Sequence, residues 1–365
     1  MSLARVRTTI LLAAIGLGVA AGITPAAAAR FPDTVSTIAS TVPANGDVNP
    51  YGVAVVPVST GDLHRGDVLV SNFNAASNLQ GTGTTIVQVA PGGAVSTFAT
   101  IDPAHLPGPC PGGVGLTTAL SVLRSGWVIV GSLPTADGTS ATAQAGCLLV
   151  LDDHGQVRET VAGQGINGPW DMTAADRGDE ADLFVSNVLN GTVAGNGAVV
   201  NEGTVLRIRL SLEHGRLPRR EETTVIGCGF GERTDPAALV VGPTGLGLDK
   251  DGTLYVADSV GNRIAAIASA ETRLTGDGTG RTVTSGGALN TPLGLMVDRR
   301  GLILTVNAGD GNLVATTPGG VQTHVVQLDS SGSPAGAGAL FGLAQAPRGG
   351  VYFVDDATNT LNLLS

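Results

Sequence analysis

Lysine is almost missing from this chain: Lys250 is the only one. Acidic residues outnumber basic ones, 30 to 20, for a formal charge of −10. No basic cluster exists, so a nucleic-acid partner or an anionic membrane surface has nothing to grip. Aromatics make up 3% of the residues and charged residues only 14%. The core must therefore be built from small aliphatic side chains. A disordered chain is excluded too, because 42% of the residues are hydrophobic and they come in strand-length runs. There are three cysteines, too few for a disulfide framework. After residue 29 no apolar run is long enough to cross a membrane.

The one longer apolar run lies at the start. Arg5 and Arg7 precede it, it spans Ile10 to Gly22, and Pro25 to Ala29 offers an Ala-x-Ala cleavage site. This reads as a secretory signal peptide over residues 1–29, with a membrane anchor as the alternative. Export makes a disulfide permissible. Cys110 with Cys147 is the expected pair, which would brace the second repeat. Cys110 with Cys228 remains open, since both are read as lying in loops that lead into first strands.

What is abundant is glycine, with 54 residues. Many short strands joined by glycine turns would use it this way. Residues 242–264, GPTGLGLDKDGTLYVADSVGNRI, spell the unit: strand, tight turn, strand, turn, strand. The Leu254–Asp258 run has counterparts at Val68–Asn72, Leu183–Asn187, Leu302–Asn307 and Val351–Asp355, and a weaker one at Trp127–Ser132. The strand before it recurs as Pro50-Tyr-Gly52, Pro169-Trp-Asp171, Pro243-Thr-Gly245, Pro292-Leu-Gly294 and Leu340-Phe-Gly342. Such spacing suits propeller blades.

The unit resembles the NHL repeat, whose pattern is Pro-x-Gly, an apolar strand, Asp-Gly, an apolar-Tyr-Val-Ala-Asp run and Asn-Arg-Ile. The resemblance covers most of residues 30–365 and implies a single all-β, six-bladed β-propeller domain. Blades are expected at 48–101, 113–163, 166–227, 240–287, 290–329, and 336–365 together with 32–41. The segment 34–39 has no partner strands of its own, while the last copy has only three. It is therefore expected to close the ring as the fourth strand of the last blade. Insertions at 133–146 and 188–203 should share one rim.

Resemblance to the more distant gluconolactonase/senescence-marker propellers implies metal ligands where x of Pro-x-Gly faces the channel mouth. Those enzymes use Glu, Asn or Asp there, and the hydroxyglycine lyase propellers use His. Here the positions hold Tyr51, Trp170, Thr244, Leu293 and Phe341, with Thr117 or Thr118 in the second copy. Tyr51, Trp170, Asp171, Thr244 and Phe341 are the candidate ligand-binding set. The aromatics either line an open lip or fill the channel as core. The repeated Asn72, Asn187, Asp258, Asn307 and Asp355 read as turn-capping residues. The five histidines fall in different blades. Asp152-Asp153 and Asp355-Asp356 are neighbours on a strand, not dyads. The expectation is a monomeric, secreted binding propeller without catalysis or cofactor, taking a small molecule or an extracellular protein or carbohydrate. The alternative is a metal-dependent hydrolase or lyase, lactonase-like, with a divalent metal such as calcium at the central channel mouth.

Overall fold

The computed structural model describes Met1, residues 31–236 and residues 238–365. Apart from Met1, the signal peptide expected over residues 1–29 lies outside the described residues. Strand β1 (Val35–Ser40) comes first among the described residues. Blade 1 is β2–β5 (Val48–Val55, Val68–Asn74, Thr85–Val89, Val95–Thr100). Blade 2 is β6–β9 (Leu116–Val122, Val128–Ser132, Cys147–Leu151, Val157–Val161). Blade 3 is β10–β13 (Pro169–Asp176, Glu180–Asn187, Val200–Ser211, Arg219–Asp235), extended by β14 (Leu239–Val241). Blade 4 is β15–β18 (Pro243–Leu248, Leu254–Asp258, Arg263–Ile267, Arg281–Ser285). Blade 5 is β19–β22 (Pro292–Val297, Ile303–Asn307, Asn312–Thr316, Gln322–Gln327). Blade 6 is β23–β25 (Leu340–Gln345, Val351–Asp355, Thr360–Leu364).

Each blade is an antiparallel meander, and the first strand of each touches the first strands of the next and the previous blade. The ring closes as expected. β1 pairs antiparallel with β25, from Val35↔Leu364 to Ser40↔Thr360, and completes blade 6. This is an all-β, six-bladed propeller. Between blades the core is aliphatic, as the scarcity of aromatics requires. Leu69 and Ile86 of blade 1 meet Leu116 and Leu149 of blade 2, for example. The outermost strands carry the exposed positions.

The inner strands approach one another very closely. A Cβ built on Gly294 would collide with the carbonyl oxygen of Phe341, and one on Gly342 with that of Tyr51. Glycine is required there by space. Serines on the second strands tie two other joints of the ring. Ser71 Oγ accepts from Gly52 N at 3.0 Å and donates to Thr117 O, one blade on, at 2.8 Å. Ser186 repeats this between Asp171 N (3.1 Å) and Thr244 O (2.8 Å). The repeated Asx residues cap turns or hold the chain entering a blade. Asp258 accepts from Gly261 N at 2.9 Å, and Asn72 Nδ2 donates to Thr41 O at 2.9 Å.

Blade 3 departs from the expected limits. It does not end at 227: β13 runs on to Asp235 and turns back through β14. Register shifts around Gly203 and Leu206 interrupt the pairing of the long β12–β13 ribbon. Cys228 therefore sits on β13, opposite Thr204, and is free and exposed. Cys110 and Cys147 form the disulfide.

Two outcomes follow. Gly294→Ala should lower unfolding free energy by about 2 kcal/mol, read from the denaturant midpoint, because a backbone carbonyl cannot move aside as a side chain can. Replacing Cys110 and Cys147 together by Ser should cost about 3 kcal/mol, since the bridge spans 37 residues of sequence. An unchanged midpoint in either variant would contradict the packing described.

Candidate functional site

The x residues of the six inner strands meet in one layer across the channel. Tyr51, Thr117, Trp170, Thr244, Leu293 and Phe341 are all buried. The Tyr51 ring stacks on Phe341 with centroids 3.8 Å apart, and on Phe73 at 4.4 Å. Trp170 lies tilted, 6.3 Å from Phe341. Its Nε1 donates to Val240 O at 3.2 Å, and Leu239 to Val241 of β14 pack into the same cluster. Of the two arrangements open to the aromatics, they fill the channel. Thr244 Oγ1 bonds Ser259 Oγ at 2.7 Å within this layer. Asp171 is not at an aromatic mouth: it lines a separate cavity, on the side towards which the inner strands run. The layer is thus a floor with a compartment on either side.

On the side where the inner strands begin lies an open pocket of about 510 Å³. Its walls are the start of β2, the loop after β3 and the β24–β25 turn, so blades 1 and 6 build it where the ring closes. Asn49, Asn78 and Asn359 have positive φ values of 64°, 57° and 54°. Asn tolerates that backbone because its short amide bonds locally. Asn49 N donates to Asn359 Oδ1 at 2.7 Å, and Asn74 Nδ2 donates to Asn78 Oδ1 at 2.7 Å. The side-chain oxygens of Asn49, Asn74 and Gln80 are buried without a partner. A buried acceptor left unbonded costs roughly 1–3 kcal/mol.

Asp356 is the acid of this pocket. Burial first, then the charges on Asp355 and Asp329, push its carboxyl up to about 7. The hydroxyl of Tyr51 is raised well above its usual range, chiefly by burial and next by the charge on Asp356. It stays protonated at neutral pH. Against the 188–203 insertion lies another acid, Glu232 of β13, pushed up to about 8, mainly by burial, with Thr192 and Asn190 beside it. It does not line the pocket.

The sequence reading missed Asp356, Asn74, Asn78, Gln80 and Asn359 as a site. The signal available was Asn49 before Pro50, together with ring closure, which makes the last blade's turn a neighbour of the first. Among the described residues no three His, Cys, Asp or Glu side chains come together to hold a metal ion.

No family model matches the chain, and no curated protein matches it. Solved structures do. A gluconolactonase from Xanthomonas campestris is 14% identical, with a TM-score of 0.53 over 93% of this chain and 98% of that one. Virginiamycin B lyase from Staphylococcus aureus is 13% identical, with a TM-score of 0.52 over 92% and 99%. A luciferin-regenerating enzyme is 12% identical, with a TM-score of 0.53 over 91% and 94%. The likeness is one of fold.

The raised Asp356 carboxyl has a thermodynamic signature. Its folded state holds the proton more tightly than the unfolded chain does. The stability this contributes is full below about pH 4 and is lost as pH rises to about 7. Asp356→Asn cannot titrate. Relative to the native protein it should gain on the order of 2 kcal/mol between pH 4 and pH 7.5, allowing for solvent screening. Parallel pH–stability curves would refute the shift.

Proposed function

We propose that this protein is a secreted propeller hydrolase or lyase acting on a small ring ester or a similar oxygen-rich molecule in the pocket of blades 1 and 6. One observation carries the reading: Asp356, an acid that titrates near neutrality, on the wall of an open 510 Å³ pocket. A general base works best when its pKa lies near the working pH. Asp356 takes a proton from water as the water oxygen bonds to the substrate carbonyl carbon. The ring C–O bond then breaks, and the proton passes to the departing alkoxide. Asn359, oriented by the bond its Oδ1 accepts from Asn49 N, keeps its NH₂ to donate to the carbonyl oxygen. The amide side chains of Asn74 and Asn78 on the pocket wall are polar partners for substrate hydroxyls.

Solved propellers of this shape include a gluconolactonase and a lyase, so the scaffold hosts such chemistry, although function follows the site and not the fold. Calcium needs about six to eight oxygen ligands, and one carboxylate with a few buried amide oxygens does not supply them, so the water attack rests on Asp356 alone. Export is supported by the leader in the sequence and by the Cys110–Cys147 bridge. Among the described residues no helix is long and apolar enough to cross a membrane. The NHL-type blade pattern over residues 30–365 supports one domain, which we take to work as a monomer. Binding without catalysis is the second reading. The amide oxygens favour it, since they recognise donors without doing chemistry.

A pH-stat screen of lactones and esters tests this. Turnover should rise through about pH 7 as Asp356 loses its proton, and Asp356→Asn should lower kcat by a factor of 100 or more. If lactones or their hydroxy acids bind by calorimetry without turnover, and Asp356→Asn abolishes that binding, the second reading holds. Neither turnover nor binding at this pocket would sink both.

A further inference from the structure

We propose that the cavity on the other side of the aromatic floor is a second site, for a small organic cation with a compact apolar body anchored on the Asp171 carboxylate. This rests on different residues from the Asp356 pocket. The cavity holds about 300 Å³, at the lower end of small-ligand sites. All six inner strands wall it, among them Ala54, Thr118, Met172, Leu246, Met296 and Leu343.

Its charge is one-sided. The ionisable side chains on the wall are Asp171 and Asp176, both on β10; β2, β6, β15, β19 and β23 contribute none. Asp176 is occupied near the opening, where its carboxylate accepts from Arg124 N at 2.6 Å and Gly178 N at 2.8 Å. Asp171 is 7% exposed. It accepts from Leu246 N at 2.8 Å, with Met172 N as a second backbone donor. Neither donor carries a full charge. Burial accordingly pushes the carboxyl up to about 7. The Thr118 hydroxyl on the same wall is buried with no hydrogen-bond partner.

The repeat pattern does not call for an acid here, although in this chain the carboxylate also accepts from Leu246 N of the next blade. At the matching position four other blades carry glycine: Gly52, Gly245, Gly294 and Gly342. Burying an acid there costs stability unless something compensates its charge. An alkylammonium does so: its N–H groups donate to Asp171 and Thr118, and its carbons pack on the leucine and methionine wall. Neutral and anionic molecules of the same shape leave the charge uncompensated or repel it.

The sequence supplies a local probe. Beyond Met1, the chain's methionines are Met172 and Met296, and both line this cavity. The experiment is a titration of the mature protein, carrying ¹³C-methyl methionine, with isobutylammonium, isobutanol and isobutyrate. At pH 8 isobutylammonium should shift both methyl signals saturably, and the other two should not. Binding displaces the Asp171 proton, so affinity should fall about tenfold between pH 8 and pH 6. Asp171→Asn should weaken binding at least tenfold. Asp356→Asn should leave it unchanged, which separates this site from the proposed catalytic pocket. Equal shifts from the alcohol, unshifted methyl signals, or affinity independent of pH would each overturn the proposal. The methyl and pH readouts stand even if Asp171→Asn does not fold.

Discussion

Everything in this propeller depends on how closely six inner strands approach around the axis. Gly294 and Gly342 lie where any side chain would strike a carbonyl of the next blade. Ser71 and Ser186 each bind two inner strands at once, accepting from one and donating to the next. A ring drawn this tight leaves little space at its centre. Tyr51, Trp170 and Phe341 therefore stack into a floor and not an open lip. With few aromatics elsewhere, the blades pack through Val, Leu, Ile and Ala, which suit flat sheets at close range.

The floor separates two chemistries. Above it, ring closure brings the first and last blades together, and their turns supply amides and Asp356 to an open pocket. Below it, a smaller cavity is walled by leucine, methionine and valine side chains with polar groups among them, and holds one deeply buried acid, Asp171. Both carboxyls titrate near neutrality, and desolvation is the first cause in each. The second cause differs. Asp356 is raised further by neighbouring acids, while backbone donors pull Asp171 back down. The first acid can meet substrate and solvent. The second can meet only what enters the cavity.

Repetition made the fold legible. The six strand runs, the spare segment at 34–39 and the three-strand last copy led directly to the closed ring. The Cys110–Cys147 pairing was the expected one because Cys110 lies in the loop entering the blade that carries Cys147. Blade 3 was not, because Gly227 to Gly231 reads as a loop whereas β13 runs through it on register shifts. The Pro-x-Gly positions were correctly gathered around the channel. Whether their side chains pointed to solvent depended on ring diameter and on β14, neither of which a local pattern encodes. Asp356 escaped because it was weighed only against its neighbour Asp355. Its true companions, Asn49 and Asn74, are some three hundred residues away in sequence and meet it only through closure.

The most direct test is a soak of Asp356→Asn crystals with δ-valerolactone, in which turnover is blocked and the ligand's place can be seen. The account predicts density for the lactone above the aromatic floor, against residue 356, Asn49 and Asn359, with none beside Asp171. Lactone beside Asp171 with no density at residue 356, or density passing through the Tyr51–Phe341 layer, would contradict it.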